Sequence, residues 1–331
     1  MPTVLTESVT KPVSNSVVAA RPWVVPILQC RECGKGLKLA QAASPKQPDH
    51  TQDLQCTACA YSVPVVRGIP RFVRTDDYVS SFSFEWTRFS TTQLDSARGW
   101  TQSEERFQES FDFPLSELKD KWILDVGCGM GRFAEIAAKH GAHVVGIDLS
   151  YAVEVASTNL ARWPNAQVIQ GDARRLPFFP ESFDIIYSLG VLHHTPDPRG
   201  AFEGLLPFLK PGGKISITLY SKYNRVYVAS TNAWRRLTTR LPNKAVYGLS
   251  HLSIPLYHLY RIPVLGFLGK AFWPICMHPD PEWRLLDTFD CYSPKYQNFY
   301  DHPEVYRWFR EAGLQDIAVL EPAISYIGRK A

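Results

Sequence analysis

The segment Ile123-Leu-Asp-Val-Gly-Cys-Gly-Met-Gly-Arg-Phe133 constrains this chain more than any other stretch. A short apolar strand runs into three glycines at alternate positions, and the pattern predicts a helix from near Gly131. Glycines so placed let backbone approach a ligand between the carboxyl end of a strand and the amino end of a helix. A second strand, His143-Val-Val-Gly-Ile-Asp148, ends on an acid 21 residues after Gly127. That is about the separation at which a Rossmann-type unit sets a carboxylate on a ribose. The two features together imply a ribonucleoside ligand.

The glycine register narrows the ligand. A dinucleotide fingerprint needs Gly-x-Gly-x-x-Gly, and here the third of those places is Arg132. The pattern Asp125-x-Gly127-x-Gly129-x-Gly131 instead resembles motif I of the class I S-adenosylmethionine (SAM) methyltransferases. Later segments are similar to the same family in order. They are Val168-Ile-Gln-Gly-Asp172-Ala173, Leu176 to Tyr187, Leu192-His193-His194 of the small-molecule branch, Leu209-Lys-Pro-Gly-Gly213 before Lys214 to Leu219, and the amphipathic run Pro303 to Gly313. Strands are expected at Gln315–Leu320 and Ala323–Gly328. The resemblance implies an α/β fold with a Rossmann-like seven-stranded methyltransferase sheet. It implies SAM held by Asp125, Gly127, Gly129, Gly131, Asp148, Leu149, Asp172, Ala173 and Leu189. In the family the acid at the place of Asp148 holds the ribose hydroxyls, and the acid at Asp172 binds the adenine amino group.

Four of the seven cysteines form Cys30-x-x-Cys33 and Cys56-x-x-Cys59, 22 residues apart. Two such knuckles suit tetrahedral zinc with four thiolates, and four protein ligands make the ion structural rather than catalytic. The gap is slightly long, and a loop over Gln41–Gln52 absorbs the excess. Tyr61-Ser-Val-Pro-Val-Val-Arg-Gly-Ile-Pro70 resembles the tail of the small zinc-ribbon proteins that activate tRNA and release-factor methyltransferases. The ribbon is then either a clamp on the catalytic domain or a grip on RNA. Residues 1–75 hold nine Lys/Arg against four Asp/Glu, a local positive excess compatible with either role.

At 331 residues and 45% apolar composition, about two domains with full cores are expected. The expected divisions are a disordered leader (1–22), the zinc ribbon (23–75), helices covering the cofactor (76–120), the SAM-binding core (121–220), a substrate-side insertion (221–302), and the last helix and strand pair (303–331). Phe84, Trp86 and Phe107 are the candidates for covering the cofactor. No run of 18 uninterrupted apolar residues is seen and no secretory signal is expected. The expected location is cytoplasmic with no transmembrane segment; a peripheral place at the membrane is the alternative.

The insertion is rich in aromatics and interrupted by Pro242, Pro255, Pro263, Pro274 and Pro279. It reads as a helical lid over an apolar substrate, an interfacial segment, or a homodimer surface. Tyr223, Asp290 and Tyr292 are its candidate substrate-binding residues. His194, then His193, are the candidates for the base or orienting group. No Asn/Asp-Pro-Pro-Tyr/Phe segment follows the fourth strand, and its place is taken by Ser188-Leu-Gly-Val-Leu-His-His194. In the family this disfavours base-amine and glutamine-amide methylation. The expected partner is a small-molecule or lipid-like acceptor methylated at O, N or C. RNA held by the ribbon is the alternative.

Overall fold

Alternating apolar and polar residues in the N-terminal part build a small antiparallel sheet. Its strands are β1 (Leu37–Gln41), β2 (His50–Cys56), β3 (Ser62–Val66) and β4 (Ile69–Pro70), in the order β1-β2-β3-β4. Arg67 and Gly68 both adopt positive φ between β3 and β4, the geometry of a two-residue turn that matches strand twist. The structure is a computed structural model that describes residues 20–42, 49–73, 77–321 and 324–331. The leader expected over 1–22 lies, through residue 19, outside the described residues, as do residues 43–48 of the loop between the cysteine pairs.

The next four strands are almost continuously apolar, the pattern of parallel strands covered on both faces. They are β5 (Trp122–Val126), β6 (His143–Asp148), β7 (Ala166–Gln170) and β8 (Phe183–Leu189). With β9 (Leu209–Leu219), β10 (Gln315–Leu320) and β11 (Ile324–Arg329) they form a seven-stranded sheet, order β10-β11-β9-β8-β5-β6-β7. β11 runs antiparallel to both β9 and β10; the other pairings are parallel. Leu209–Gly213 reads as a turn in the sequence, yet β9 runs through it. Leu209 pairs with Phe183 and Lys214 with Ile185, so the residues between them bulge out of the ladder, with Gly212 at positive φ.

Helices α1 (Ser80–Arg88), α2 (Asp95–Arg98) and α3 (Gln102–Gln108) precede the sheet. Helices α4 (Arg132–Lys139), α5 (Ala152–Asn159) and α6 (Pro198–Glu203) are its crossovers. The insertion is α7 (Arg225–Thr238), α8 (Asn243–Ser250), α9 (Ser253–Leu259), α10 (Pro263–Phe272) and α11 (Pro281–Tyr292). Its prolines sit where a missing N–H costs little: at the N-cap of α8, in the first turns of α9 and α10, and between α10 and α11. Its small core gathers Val246, Tyr260, Trp273, Ile275, Phe289 and Tyr292. Helix α12 (His302–Glu311) opens on a capping box, with Asp301 and Glu304 exchanging side-chain-to-backbone bonds, which fixes its start.

The ribbon and the large sheet share one apolar core, in which Val24, Leu28, Leu54 and Val63 pack with Leu124, Val126 and Ile186. Backbone bonds join them as well. Gln29 N–H donates to the Pro177 carbonyl at 2.8 Å and Phe179 N–H to Ile27 at 2.9 Å. Arg71 bridges in parallel to Gln170, so the ribbon tail continues the sheet beyond β7. The Arg71 guanidinium pairs with Glu154 and donates to Gln170 Oε1 at 3.0 Å. Arg71→Ala is expected to cost about 1–2 kcal/mol, since it removes the bond to Gln170 and leaves partly buried Glu154 with only the exposed Arg67 as its partner. Hydrogen exchange should rise at residues 62–72 before it rises in the large sheet, and uniform exchange across both would contradict this docking.

Candidate active site

The site lies at the carboxyl ends of β5, β6, β7 and β8, where ligands bind in open α/β sheets. A cavity of about 250 Å³ opens there. Its floor is the turn between β5 and α4. Gly127 has φ +78°, and a Cβ there would stand 2.3 Å from Val191 Cγ1, so any side chain would push the β8 loop away. At Gly129, with φ +50°, a Cβ would meet the Trp86 ring at 3.1 Å. The turn is tied to β6 by Gly127 N–H donating to the Ile147 carbonyl at 2.7 Å.

Asp148 couples the two strand ends. Its Oδ2 accepts Gly129 N–H at 2.9 Å, while Oδ1 accepts Ser150 N–H at 2.8 Å and Ser150 Oγ–H at 2.7 Å. Burial raises its pKa against the pull of these donors. A carboxylate offers about four acceptor positions, so one remains for a ligand hydroxyl. Asp172 lines the cavity and pairs with Arg174 at 2.8 Å. Burial opposes its ionisation, but the Arg174 bonds win and its pKa falls below the usual value.

Gly127, Gly129, Asp148, Leu149, Asp172, Ala173, Leu189, His194 and Asp290 all face this cavity. Asp125 does not. It lies behind the glycine turn with Oδ2 buried and unpartnered, and burial pushes its carboxyl up to about 8. Gly131 packs against Leu160 instead of the cavity. Among the residues expected to cover the cofactor, Trp86 lines the cavity. Phe84 packs on Tyr247 and Phe289 of the insertion, and Phe107 stacks on Phe133 inside the core.

The histidine pair divides its work. His194 Nδ1 bonds the Tyr296 carbonyl at 2.8 Å, so Nδ1 carries the hydrogen and Nε2 a lone pair. That Nε2 is buried and unpartnered. Burial, together with Arg235, depresses the imidazole pKa against the opposing pull of Asp290 and the Tyr296 carbonyl. His193 points away and stacks on Tyr220 with ring centroids 3.8 Å apart. Tyr220 Oη donates to Asp290 Oδ2 at 2.7 Å, so His193 supports the residue that orients Asp290. Tyr223 and Tyr292 do not reach the site. Tyr223 is exposed and accepts from His302 N–H, and Tyr292 donates to the Pro274 carbonyl.

Two acids escaped the sequence reading. Glu85 on α1 and Asp287 on α11 line the cavity beside Asp290. Glu85 is 1% exposed with Oε2 unpartnered. Burial, then repulsion from Asp290 and Asp287, holds it well above the usual carboxylate range. Burial pushes Asp287 up to about 6. The available signal was a lone acid inside the aromatic run Phe82-Ser-Phe-Glu-Trp86, and a pair of acids three residues apart on an apolar helix. Gln93, Arg132, Leu189, Gly190, Asp287 and Asp290 also line an adjoining cleft of about 740 Å³, whose far wall includes Arg106, Tyr227, Ile275 and Trp283.

The four knuckle cysteines converge in the ribbon. Their sulfurs lie within 4.8 Å of one another, with Cys33 and Cys56 at 3.4 Å and Cys30 and Cys59 at 3.6 Å. A zinc ion bound at about 2.3 Å by four thiolates needs sulfurs about 3.8 Å apart, so Cys30, Cys33, Cys56 and Cys59 fit that ion. No further side chain joins the cluster among the described residues.

A family profile described as a methyltransferase domain matches residues 124–217. The ubiquinone biosynthesis O-methyltransferase of Coxiella burnetii is 33% identical over 120 residues, covering 34% of this chain and 48% of that protein. The enzyme of the same name from Pseudomonas fluorescens is 33% identical over 144 residues, covering 40% and 62%. This chain therefore spans about half to three fifths of the length of these relatives. Among solved structures, phosphoethanolamine N-methyltransferase 2 of Haemonchus contortus aligns over 75% of this chain and 47% of its own, at 19% identity and TM-score 0.43. Purified protein is expected to contain one zinc per chain by elemental analysis. Cys56→Ser should lose that metal and lower the melting temperature by several degrees, and a metal-free protein of unchanged stability would refute the assignment.

Proposed function

We propose that this chain, which carries a methyltransferase domain of the SAM-dependent class, transfers a methyl group to a hydroxyl of a small, apolar acceptor. The observation that carries this reading is the buried, unpartnered Nε2 of His194 in a cavity continuous with a second cleft. The first cavity suits SAM. The glycine turn leaves room for backbone approach, Asp148 keeps an acceptor position for a ribose hydroxyl, and Asp172 offers its carboxylate. SAM, when bound, supplies a methyl on a sulfonium, a leaving group that needs no further activation.

The chain's own work is then to orient and to deprotonate. The cleft beyond Leu189 and Gly190 would hold the acceptor, with Tyr227, Ile275 and Trp283 giving it an apolar and aromatic wall. Alignment of this kind contributes about 7–11 kcal/mol in well-oriented reactions. His194 Nε2 would take the acceptor proton, with the Tyr296 carbonyl fixing the tautomer. Asp290, held by Tyr220, would orient the acceptor group from the opposite side. The ubiquinone biosynthesis relatives are named as O-methyltransferases, which favours a hydroxyl over nitrogen or carbon. The ribbon would serve as a structural clamp. Two of its cations face the catalytic core: Arg31 donates to the Arg175 carbonyl and Arg71 pairs with Glu154.

His194→Ala is expected to lower kcat by roughly 10²–10⁴-fold while SAM affinity stays within about twofold of the parent. Because burial depresses the His194 pKa, the imidazole stays neutral as pH falls through its ordinary value near ~6.5. The acid limb of the kcat profile should therefore lie below that pH in the parent enzyme and vanish in the variant. Unchanged kcat in His194→Ala would remove the base from the mechanism. Radiolabelled methyl from SAM, offered with a cell extract, should enter the solvent-extractable fraction. Nuclease-sensitive label would overturn the small-molecule reading in favour of RNA.

A further inference from the structure

Helix α10 is inside out by the usual standard of a water-exposed helix. Its inward side is a glycine seam. A Cβ at Gly266 would lie 2.1 Å from the Tyr260 carbonyl oxygen, and one at Gly269 would lie 2.1 Å from the Tyr260 ring. The helix therefore packs by backbone against Tyr260 and turns its large side chains outward. Val264, Leu265, Phe267, Leu268 and Phe272 are all exposed, Phe267 by 73% and Phe272 by 68%. At 100° per residue these five fall within an arc of about 160°. Leu252, Ile254, Leu259 and Ile262 extend the exposed apolar surface along the preceding turn and helix. Single exposed apolar residues need no explanation, but a contiguous patch of this kind does.

Charge says what covers it. From Ser221 to Pro279 the chain holds eight Lys/Arg and no Asp or Glu. Arg225, Arg236, Arg240, Lys244, Arg261 and Lys270 are exposed, and among the described residues none of them makes a salt bridge. Arg261 precedes α10 and Lys270 sits at the border of its apolar arc. A second copy of this face would bring like charges together. An RNA would satisfy the cations and leave Val264, Leu265 and Leu268 without a partner. An anionic lipid surface satisfies both, since its headgroups take the cations and its acyl boundary takes the apolar side chains. Helix α10 has ten residues, about 15 Å of length against a hydrocarbon core of about 30 Å. No helix among the described residues is long and apolar enough to cross a membrane.

We infer that the α9–α10 face of the insertion docks on the surface of an anionic lipid bilayer, with Phe267, Leu268 and Phe272 inserted at the acyl boundary and Arg261 and Lys270 at the headgroups. The site of transfer lies close by in sequence. Three residues past Phe272, Ile275 and then Cys276 line the acceptor cleft, so an apolar acceptor dissolved in the bilayer has a short path to it. The docking surface stands independently of the transfer reading, because it is assigned from exposure and charge alone.

The test is sedimentation of the full chain with vesicles of phosphatidylcholine, or of phosphatidylcholine with phosphatidylglycerol admixed, without SAM. Binding should favour the anionic vesicles by about tenfold or more and weaken as salt is raised. Arg261→Glu with Lys270→Glu should lower anionic binding by roughly fivefold or more per cation removed. Phe267→Ser with Leu268→Ser should abolish binding to both compositions while leaving the circular dichroism spectrum unchanged. Failure to bind anionic vesicles would overturn the proposal. So would binding that survives Phe267→Ser with Leu268→Ser, a lipid-free dimer that these substitutions dissolve, or an RNA complex that the charge reversals alone abolish. Should the serine variant misfold, the charge-reversal pair still decides.

Discussion

The bond from Gly129 N–H to Asp148 Oδ2 is the constraint around which the molecule is arranged. It locks the loop after β5 to the end of β6, and it requires that no side chain stand between them. Gly127 meets that requirement so closely that Val191, from the loop after β8, fills the space a Cβ would take. Three crossover units are thereby brought to one point. The cavity above them exists because backbone, rather than side chain, forms its floor. The same closeness explains why His194, only three residues past Val191, arrives at the cavity rim.

The N-terminal ribbon extends this frame at the opposite side of the sheet. Strand β7 would otherwise end the large sheet with unpaired backbone, the kind of edge that proteins cover. Arg71 and Phe72 pair with Gln170 there, and the apolar residues of the ribbon join the core beneath. A small four-stranded sheet buries too little to stand firmly alone, which is the physical reason for four converging thiolates at its tip. A zinc ion there would fix the knuckles, the knuckles the strands, and the strands the sheet edge that ends in Asp172.

The insertion closes the other side. Helix α11 carries Asp287 and Asp290 over the cavity and meets α1, which carries Glu85 and Trp86. Glu85 and Asp287 are far apart in sequence, and burial together with the nearby Asp290 raises both carboxyls in pKa. Their common surroundings keep part of that charge suppressed. Helix α10, by contrast, contributes nothing to that roof. Its glycines let it lie flat on Tyr260 with its apolar side chains facing outward, an orientation that local amphipathic pattern alone would not predict.

The strand–glycine–helix unit was legible at once because its physics is local. The turn needs positive φ at successive glycines, and the acid at Asp148 follows at a fixed distance. The cysteine knuckles were legible for the same reason, as was the run of seven strands, apart from the bulge that carries β9 through Lys210–Gly213. Convergence was not legible. Asp125 fits the motif yet lies behind the turn, Tyr223 and Tyr292 lie in the right segment yet point elsewhere, and Glu85 and Asp287 meet across 202 residues of chain. Sequence by itself determined the cofactor-type loop, the two cysteine knuckles and the run of strands, because each is set by neighbours along the chain. Only the tertiary structure decided which acids share the cavity, which nitrogen of His194 faces it, and which side of α10 meets solvent, because those depend on packing between segments that no local spacing encodes.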